Sequence, residues 1–286
     1  MRAMRSPLVL LGGTLLVALF VIAVFAPLVS PHDPKALTGD SLERPSTDHP
    51  LGTNDIGQDI FSEIVWGARQ SLIVAVGAAT LAISLGVVVG VGAGLVGGLV
   101  DRLAMRVVDV VLAFPTMPFL VLVAALAGVN RAVLVLVIGF ITWPEIARLV
   151  RSQTLTLRRR GFLDSARGFG GGVPYLVRRH LIPALAPIIV AGFVTIAGQA
   201  VLMESGLAFL GLADPTAVSW GLVLNRALLF PGLYFTSIWV WWVLPAGFAI
   251  ALTVLGFTFL GVGLEPVFNP RWTRGNRARA ATTRAA

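Results

Sequence analysis

The sequence predicts an all-α polytopic membrane protein with six transmembrane helices. Two observations carry that prediction. Hydrophobic residues fill 56% of the 286 positions and charged residues only 13%, against about 25% charged in an ordinary soluble domain. Apolar residues also run unbroken for the ~18–20 positions that cross a bilayer at about 1.5 Å rise per residue. Unbroken runs, unlike alternating ones, read as helices and not as barrel strands.

The first run, Leu8 to Val29, follows Arg2 and Arg5 and closes on Ala26, Pro27 and Leu28. It is longer than the ~7–15 residues of a signal-peptide core and lacks a small-residue cleavage site, so it is expected to stay as the first span. Further runs at Ser71 to Val100, Leu103 to Gly128, Ala132 to Val150, Leu181 to Leu202 and Ile238 to Gly263 complete the six.

An even number of spans puts both termini on one side. With alternating sides, 17 of the 22 basic residues fall with the termini, including Arg148, Arg151, Arg158, Arg159, Arg160, Arg167, Arg178 and Arg179 in one connection. The excess of basic residues on the cytoplasmic side makes both termini cytoplasmic. The first external segment agrees, carrying Asp33, Asp40, Glu43, Asp48, Asp55, Asp59 and Glu63. The net charge of +8 is thereby explained by topology, and no nucleic-acid partner is expected.

Three regions follow. Residues 1–66 hold the anchor span and an external segment, in which the spacing of Ile56, Ile60, Ile64 and Val65 predicts an interfacial helix over Asp55 to Gly67. Residues 67–270 form the membrane core, with an extended cytoplasmic loop at 160–180. Residues 271–286 are a basic cytoplasmic tail expected to be disordered. Within the core, Ala78, Ala82, Gly86, Gly90, Gly94 and Gly98 recur every fourth position. Such a ridge of small residues lets two helix backbones approach closely in lipid, either within the chain or between subunits.

The connection from Arg148 to Pro183 is long, basic and glycine-rich. Phe162 to Phe169 reads as a short helix stopped by Gly170, Gly171 and Gly172. Pro174 suits the first turn of a second helix that continues through His180 into the fifth span. The result is a protruding elbow.

At these residues the chain resembles the permease subunits of bacterial ABC importers. Asp164, Ser165 and Ala166, then Gly168, Gly170, Gly171, His180 and Pro183, are similar to the EAA motif, with Asp164 and Ser165 where Glu and Ala are usual. The resemblance covers roughly residues 50–270 and lies nearest the C-type permease of dipeptide and oligopeptide importers. It is carried also by His49 to Asp59, Gly67 to Leu72, Val108 to Pro115, Glu204 to Leu212 and Ser219 to Gly221.

The resemblance implies a type I ABC importer transmembrane domain whose elbow is a coupling helix docked on an ATPase. It implies a second homologous permease subunit, two ATPase chains or domains that bind ATP and magnesium, and an extracytoplasmic substrate-binding protein. It implies the bacterial cytoplasmic membrane as location, and dipeptides, oligopeptides or related small substrates as cargo. No cofactor is expected in this chain.

The residues agree on what is excluded. A nucleotide-binding loop of the Walker type needs a lysine after its glycines, and Lys35, the only lysine, lies in an external proline-rich stretch. There is no cysteine, which removes thiolate metal sites and thiol nucleophiles. His32 and His49 lack carboxylates at metal-ligand spacing, so no metal and no catalytic residue are expected.

Ionisable groups in spans are functional candidates by default. Asp109 is expected to pair with Arg106 and Glu145 with Arg148, each at helical spacing. Glu145, beside Pro144, and Glu204, with no basic neighbour in sequence, are candidates for a pathway or gate. Asp109, Glu145 and Glu204 also motivate an alternative, an ion-coupled transporter working alone, but no inverted repeat supports it. An intramembrane hydrolase lacks a paired nucleophile and base. Trp239, Trp241 and Trp242 read as an interfacial aromatic belt.

Overall fold

The computed structural model describes residues 6–128, 130–159, 168 and 170–268. Among these the regular elements are helices, with two isolated bridges, Leu37 to Gln58 and Thr53 to Asp59, in the external segment. Ser6 caps α1 (Pro7–Val24), its hydroxyl accepting from the Val9 amide at 3.4 Å, and Pro7 occupies the first turn, where its missing N–H costs nothing. One further turn, α2 (Ala26–Val29), ends the first apolar run.

The second span begins well before its apolar core. Asp59 Oδ2 accepts from the Ser62 amide at 2.8 Å and the Ser62 hydroxyl at 2.6 Å. This cap starts α3 (Ile60–Val96), which runs unbroken for 37 residues. The separate interfacial helix expected over Asp55 to Gly67 therefore does not form. Its first part turns at Gly57, with φ of +84° and backbone packed so closely that a Cβ would lie 2.3 Å from the Gly39 carbonyl oxygen. Its second part is the opening of α3, with Ile60 fully buried.

Gly97 (φ +72°) and Gly98 (φ +58°) then reverse the chain after Val96. The third run is not one helix but a broken pair, α4 (Gly98–Leu112) and α5 (Thr116–Ala127), bent by 78°. Pro115 is the cause. It has no N–H to donate and it disfavours helical backbone at the residue before it.

Asn130 caps α6 (Arg131–Arg158), its side chain accepting from the Val133 amide at 2.9 Å. The fifth span, α7 (Val173–Phe209), starts before its apolar run and includes a π-turn over Val177–Leu181. α8 (Trp220–Leu229) and α9 (Trp239–Phe268) follow. Five of these helices are long and apolar enough to cross a membrane, six when α4 and α5 count as one span.

Helix α3 is central and packs against α6 along a ridge of bare backbone. A Cβ on Gly86 would sit 2.6 Å from Ile146 Cγ2, one on Gly90 2.6 Å from the Ala147 carbonyl oxygen, and one on Gly94 2.8 Å from Thr154 Cβ. The ridge thus faces a helix of the same chain. Gly98, expected in the same stripe, belongs to the turn, and no described atom lies within 4 Å of its Cβ position. Helix α1 lies against α9 by the same device: a Cβ on Gly12 would lie 2.6 Å from the Gly256 carbonyl oxygen, and one on Gly263 2.5 Å from Val9 Cγ2. Trp242 departs from the expected belt: it is fully buried with its ring centroid 6.2 Å from Phe230, while Trp239 faces outward.

Candidate functional site

The elbow between α6 and α7 is built by glycine and proline chemistry. Gly170 has φ of +84°, a conformation open to glycine and strained for other residues. Gly171 carries the chain onward without regular structure. Gly172 stands at the N-cap of α7 with extended backbone, and Pro174 sits in the first turn. Gly168 is helical and exposed, with no described atom within 4 Å of its Cβ position. Asp164, Ser165 and Ala166, and apart from Gly168 the rest of the helix expected over Phe162 to Phe169, lie outside the described residues, as does the 271–286 tail.

Beyond the glycines the helix has to absorb Pro183 and Pro187. A proline ring collides with the carbonyl one turn earlier. The π-turn at Val177–Leu181 widens the helix immediately before Pro183, so the chain continues without a sharp break. Leu176, Leu181 and Leu185 anchor this stretch, each at most 1% exposed. His180 packs edge-on against Tyr175, with ring centroids 5.6 Å apart.

Two ion pairs tie α4 to the same end of α6. Asp109 does not pair with Arg106: Arg148 Nη2 reaches Asp109 Oδ1 at 2.6 Å across the helix interface. Arg151 grips Asp101 with two nitrogens, Nε on Oδ1 and Nη2 on Oδ2 at 2.6 Å. Arg158 Nη1 donates to the Gly94 carbonyl at 3.5 Å. With Arg148 taken by Asp109, the expected Glu145–Arg148 pair is not made.

Glu145 instead lines a cavity of about 310 Å³ at the bend between α4 and α5, together with Phe114, Thr116, Met117, Thr142 and Gln199. Its carboxylate has no hydrogen-bond or ionic partner among the described residues and is exposed. Non-helical backbone at membrane depth is tolerated where it lines such a cavity.

Glu204 lines neither this cavity nor the external one described next. It is 1% exposed, and its Oε2 accepts from Ser71 Oγ at 2.9 Å and Ser205 Oγ at 3.4 Å, with Ser219 a further hydroxyl partner. The carboxyl joins α7 to α3 and to the cap of α8. Nearby, Arg226 Nη1 meets the buried Glu63 at 3.2 Å and Trp220 Nε1 donates to the Ile64 carbonyl at 2.9 Å. The external segment and α8 are thus bonded to the first turns of α3.

An open cavity of about 1050 Å³ lies at this end, lined among others by His32, Lys35, Arg69, Arg131 and Asp214. Asp214 is held below the usual carboxylate range, first by the Thr216 hydroxyl and then by the Thr216 amide. Arg69 lies over the Trp66 ring at 5.6 Å, and Arg131 Nε donates to Gln70 Oε1 at 2.5 Å.

A bundle of membrane helices with a broken span and a glycine elbow defines a class, the multi-pass transport subunit. Residues 86–274 match the model of the binding-protein-dependent transport system inner membrane component, and residues 1–48 match the N-terminal transmembrane domain of oligopeptide transport permease C. The chain belongs to the first of these families, the ABC transporter permeases, and its fold is the type I importer transmembrane domain. It is 35% identical over 273 residues to a putative peptide permease protein of Brucella suis, covering 94% of this chain and 89% of the relative. A probable peptide ABC transporter permease protein of Sinorhizobium fredii is 35% identical over 274 residues, covering 95% and 92%. A glutathione transport system permease protein of Shigella flexneri is 37% identical over 277 residues, covering 94% and 88%.

Proposed function

We propose that this chain forms half of the pathway by which di- and oligopeptides, or related small substrates such as glutathione, enter a bacterial cell, and that it relays ATP hydrolysis performed by other chains. The relatives named for peptide and glutathione transport support the substrate class. The observation that carries the coupling role is the elbow: a break at Gly170 (φ +84°) and a helix restarting at Gly172 in the most basic connection of the chain. Asp164, Ser165, Ala166, Gly168, Gly170 and Gly171 are proposed to present the docking element, and His180 and Pro183 to set the helix behind it.

The partners in this reading are a second homologous permease, two cytoplasmic ATPase chains or domains carrying ATP and magnesium, and an extracytoplasmic binding protein. Both termini are placed on the cytoplasmic side in this reading, which the distribution of arginines supports. Glu145 is assigned to the pathway, because its exposed carboxylate lines the cavity at the broken span and has no partner among the described residues. Glu204 is assigned to bracing, because hydroxyls enclose it.

The test is ATP-dependent uptake by the reassembled complex in vesicles. Gly170→Trp is expected to abolish uptake while the chain still inserts and assembles. Full uptake by that variant, or uptake by the isolated chain on an ion gradient alone, overturns the reading.

A further inference from the structure

We propose that His32, His49 and Asp59 form a binding site for a divalent cation of the zinc class on the face of the bilayer opposite the N-terminus. Sequence spacing did not suggest such a set, because the three residues come from separate segments. His32 follows α2, His49 lies in the external segment, and Asp59 caps α3. The fold brings one ligand atom of each to within 4.8 Å of the others.

The geometry is close to that of a metal site. His49 Nδ1 is 3.1 Å from Asp59 Oδ1, and His32 Nδ1 is 4.0 Å from Asp59 Oδ2. Two ligands on one zinc, each at about 2.0–2.1 Å, stand about 3.3 Å apart in a tetrahedron. The His49–Asp59 spacing already fits. The three ligand atoms lie within 4.8 Å of one another, so His32 has to close by up to about 1.5 Å to reach that spacing, and its Nδ1 gives up no hydrogen bond among the described residues.

That free nitrogen is the feature a plain histidine–aspartate pair leaves unexplained. His49 is buried and Asp59 wholly so, and they satisfy each other. His32 Nδ1 is also buried, yet it has no partner among the described residues, although it faces the same carboxylate. The two imidazoles lie with centroids 4.8 Å apart. A cation between them and Asp59 Oδ1 would satisfy all three groups. Asp59 Oδ2 would keep its bonds to Ser62 and so the helix cap.

The surroundings fit as well. Glu43 Oε2 lies 4.0 Å from His49 Nε2, on the far side of the ring from Asp59. Brought to hydrogen-bond distance from there, that carboxylate would hold the tautomer with Nδ1 free to ligate and orient the ring. A Cβ on Gly39 would lie 2.8 Å from both Glu43 Oε2 and His49 Nε2, so only glycine lets the backbone pass over this pair. His32 is anchored through its backbone, its amide donating to Ser62 Oγ at 3.3 Å and its carbonyl accepting from Ser30 Oγ at 2.5 Å. The His32 side chain is 28% exposed, which leaves an edge where water completes the coordination.

Two imidazoles and one carboxylate suit zinc, cobalt, nickel or copper, whereas calcium and magnesium select all-oxygen sites. The cation would clasp the end of the first span and the external segment to the first turn of α3.

The experiment uses the full chain, purified without a histidine tag or chelator, and titrated with Zn²⁺ by calorimetry and with Co²⁺ by visible absorption. The wild type is expected to bind one equivalent, with ligand-field bands of tetrahedral intensity that Zn²⁺ abolishes, and to melt at higher temperature with Zn²⁺ present. His32→Ala is expected to bind at least tenfold more weakly and to lose the zinc-dependent melting shift, while His180→Ala keeps both. X-ray absorption of the Zn²⁺-loaded wild type, expected to report two imidazoles, needs no variant. No saturable binding by the wild type, a His32→Ala titration that superimposes on it, or a spectrum without imidazole scattering overturns the site.

Discussion

Glu204 Oε2 accepts a hydrogen bond from Ser71 Oγ at 2.9 Å, closing a contact between residues 133 positions apart on the two longest helices. Because Ser205 and Ser219 complete the set, the group acts as an acceptor and not as a charge partner. Glu204→Gln keeps an acceptor and the volume and is expected to cost less than about 1 kcal/mol. Glu204→Ala strands the serine hydroxyls and is expected to cost about 2–4 kcal/mol. Thermal unfolding in detergent measures both. Uptake lost in a well-folded Glu204→Gln chain would move this residue from bracing to the pathway.

Glu145 behaves oppositely. Its exposed carboxylate has no partner to lose among the described residues, so Glu145→Gln is expected to leave unfolding within about 0.5 kcal/mol of wild type. The same change is expected to alter the substrate concentration dependence of uptake. A stability loss without a transport change would remove it from the pathway.

Gly90 and Gly92 lie two residues apart on α3 with contrary surroundings. Gly90→Ala drives a methyl toward the Ala147 carbonyl oxygen and Val150, and is expected to cost about 1–3 kcal/mol by overpacking. No described atom stands within 4 Å of the Gly92 position, and alanine there is expected to stabilise the helix by up to about 1 kcal/mol. Melting of the isolated chain separates the two.

The pairs joining α4 to α6 differ in exposure. Asp109 and Arg148 are both about half exposed, at 52% and 54%, and such pairs contribute about 0–1 kcal/mol. Asp101 and Arg151 are less exposed, at 16% and 30%, and bonded twice. Asp101→Asn is expected to lower the melting temperature more than Asp109→Asn, and high salt to narrow the gap. A larger effect at Asp109 would contradict this ordering.

Local chemistry written along the chain was legible in the sequence. The apolar runs located the spans, Gly170 to Gly172 the break before α7, and Gly86, Gly90 and Gly94 a packing face. Legibility failed where a partner comes from another segment. Asp109 was paired with Arg106 because helical spacing is the only proximity a sequence displays, whereas the fold supplies Arg148 from α6. Ser71, Arg226 and Asp101 were invisible as partners for the same reason. Hydropathy misplaces helix ends where a cap or a break overrides it: Asp59 starts α3 early, and Pro115 splits the third span. His32 and His49 looked unrelated until the external segment folded back on Asp59.

The lengths of α3 and α7 have a mechanical consequence. Each is 37 residues long, about 55 Å at 1.5 Å per residue, while the hydrocarbon layer is about 30 Å thick. Each therefore reaches beyond the layer, α3 as a continuous α-helix and α7 with a π-turn near its elbow end. One end of α7 is the glycine elbow, and near its other end Glu204 is bolted to α3. The path from the elbow to the opposite face, where the external segment rides on α3, runs along α7 through the π-turn at Val177–Leu181 and past Pro183 and Pro187 to Glu204.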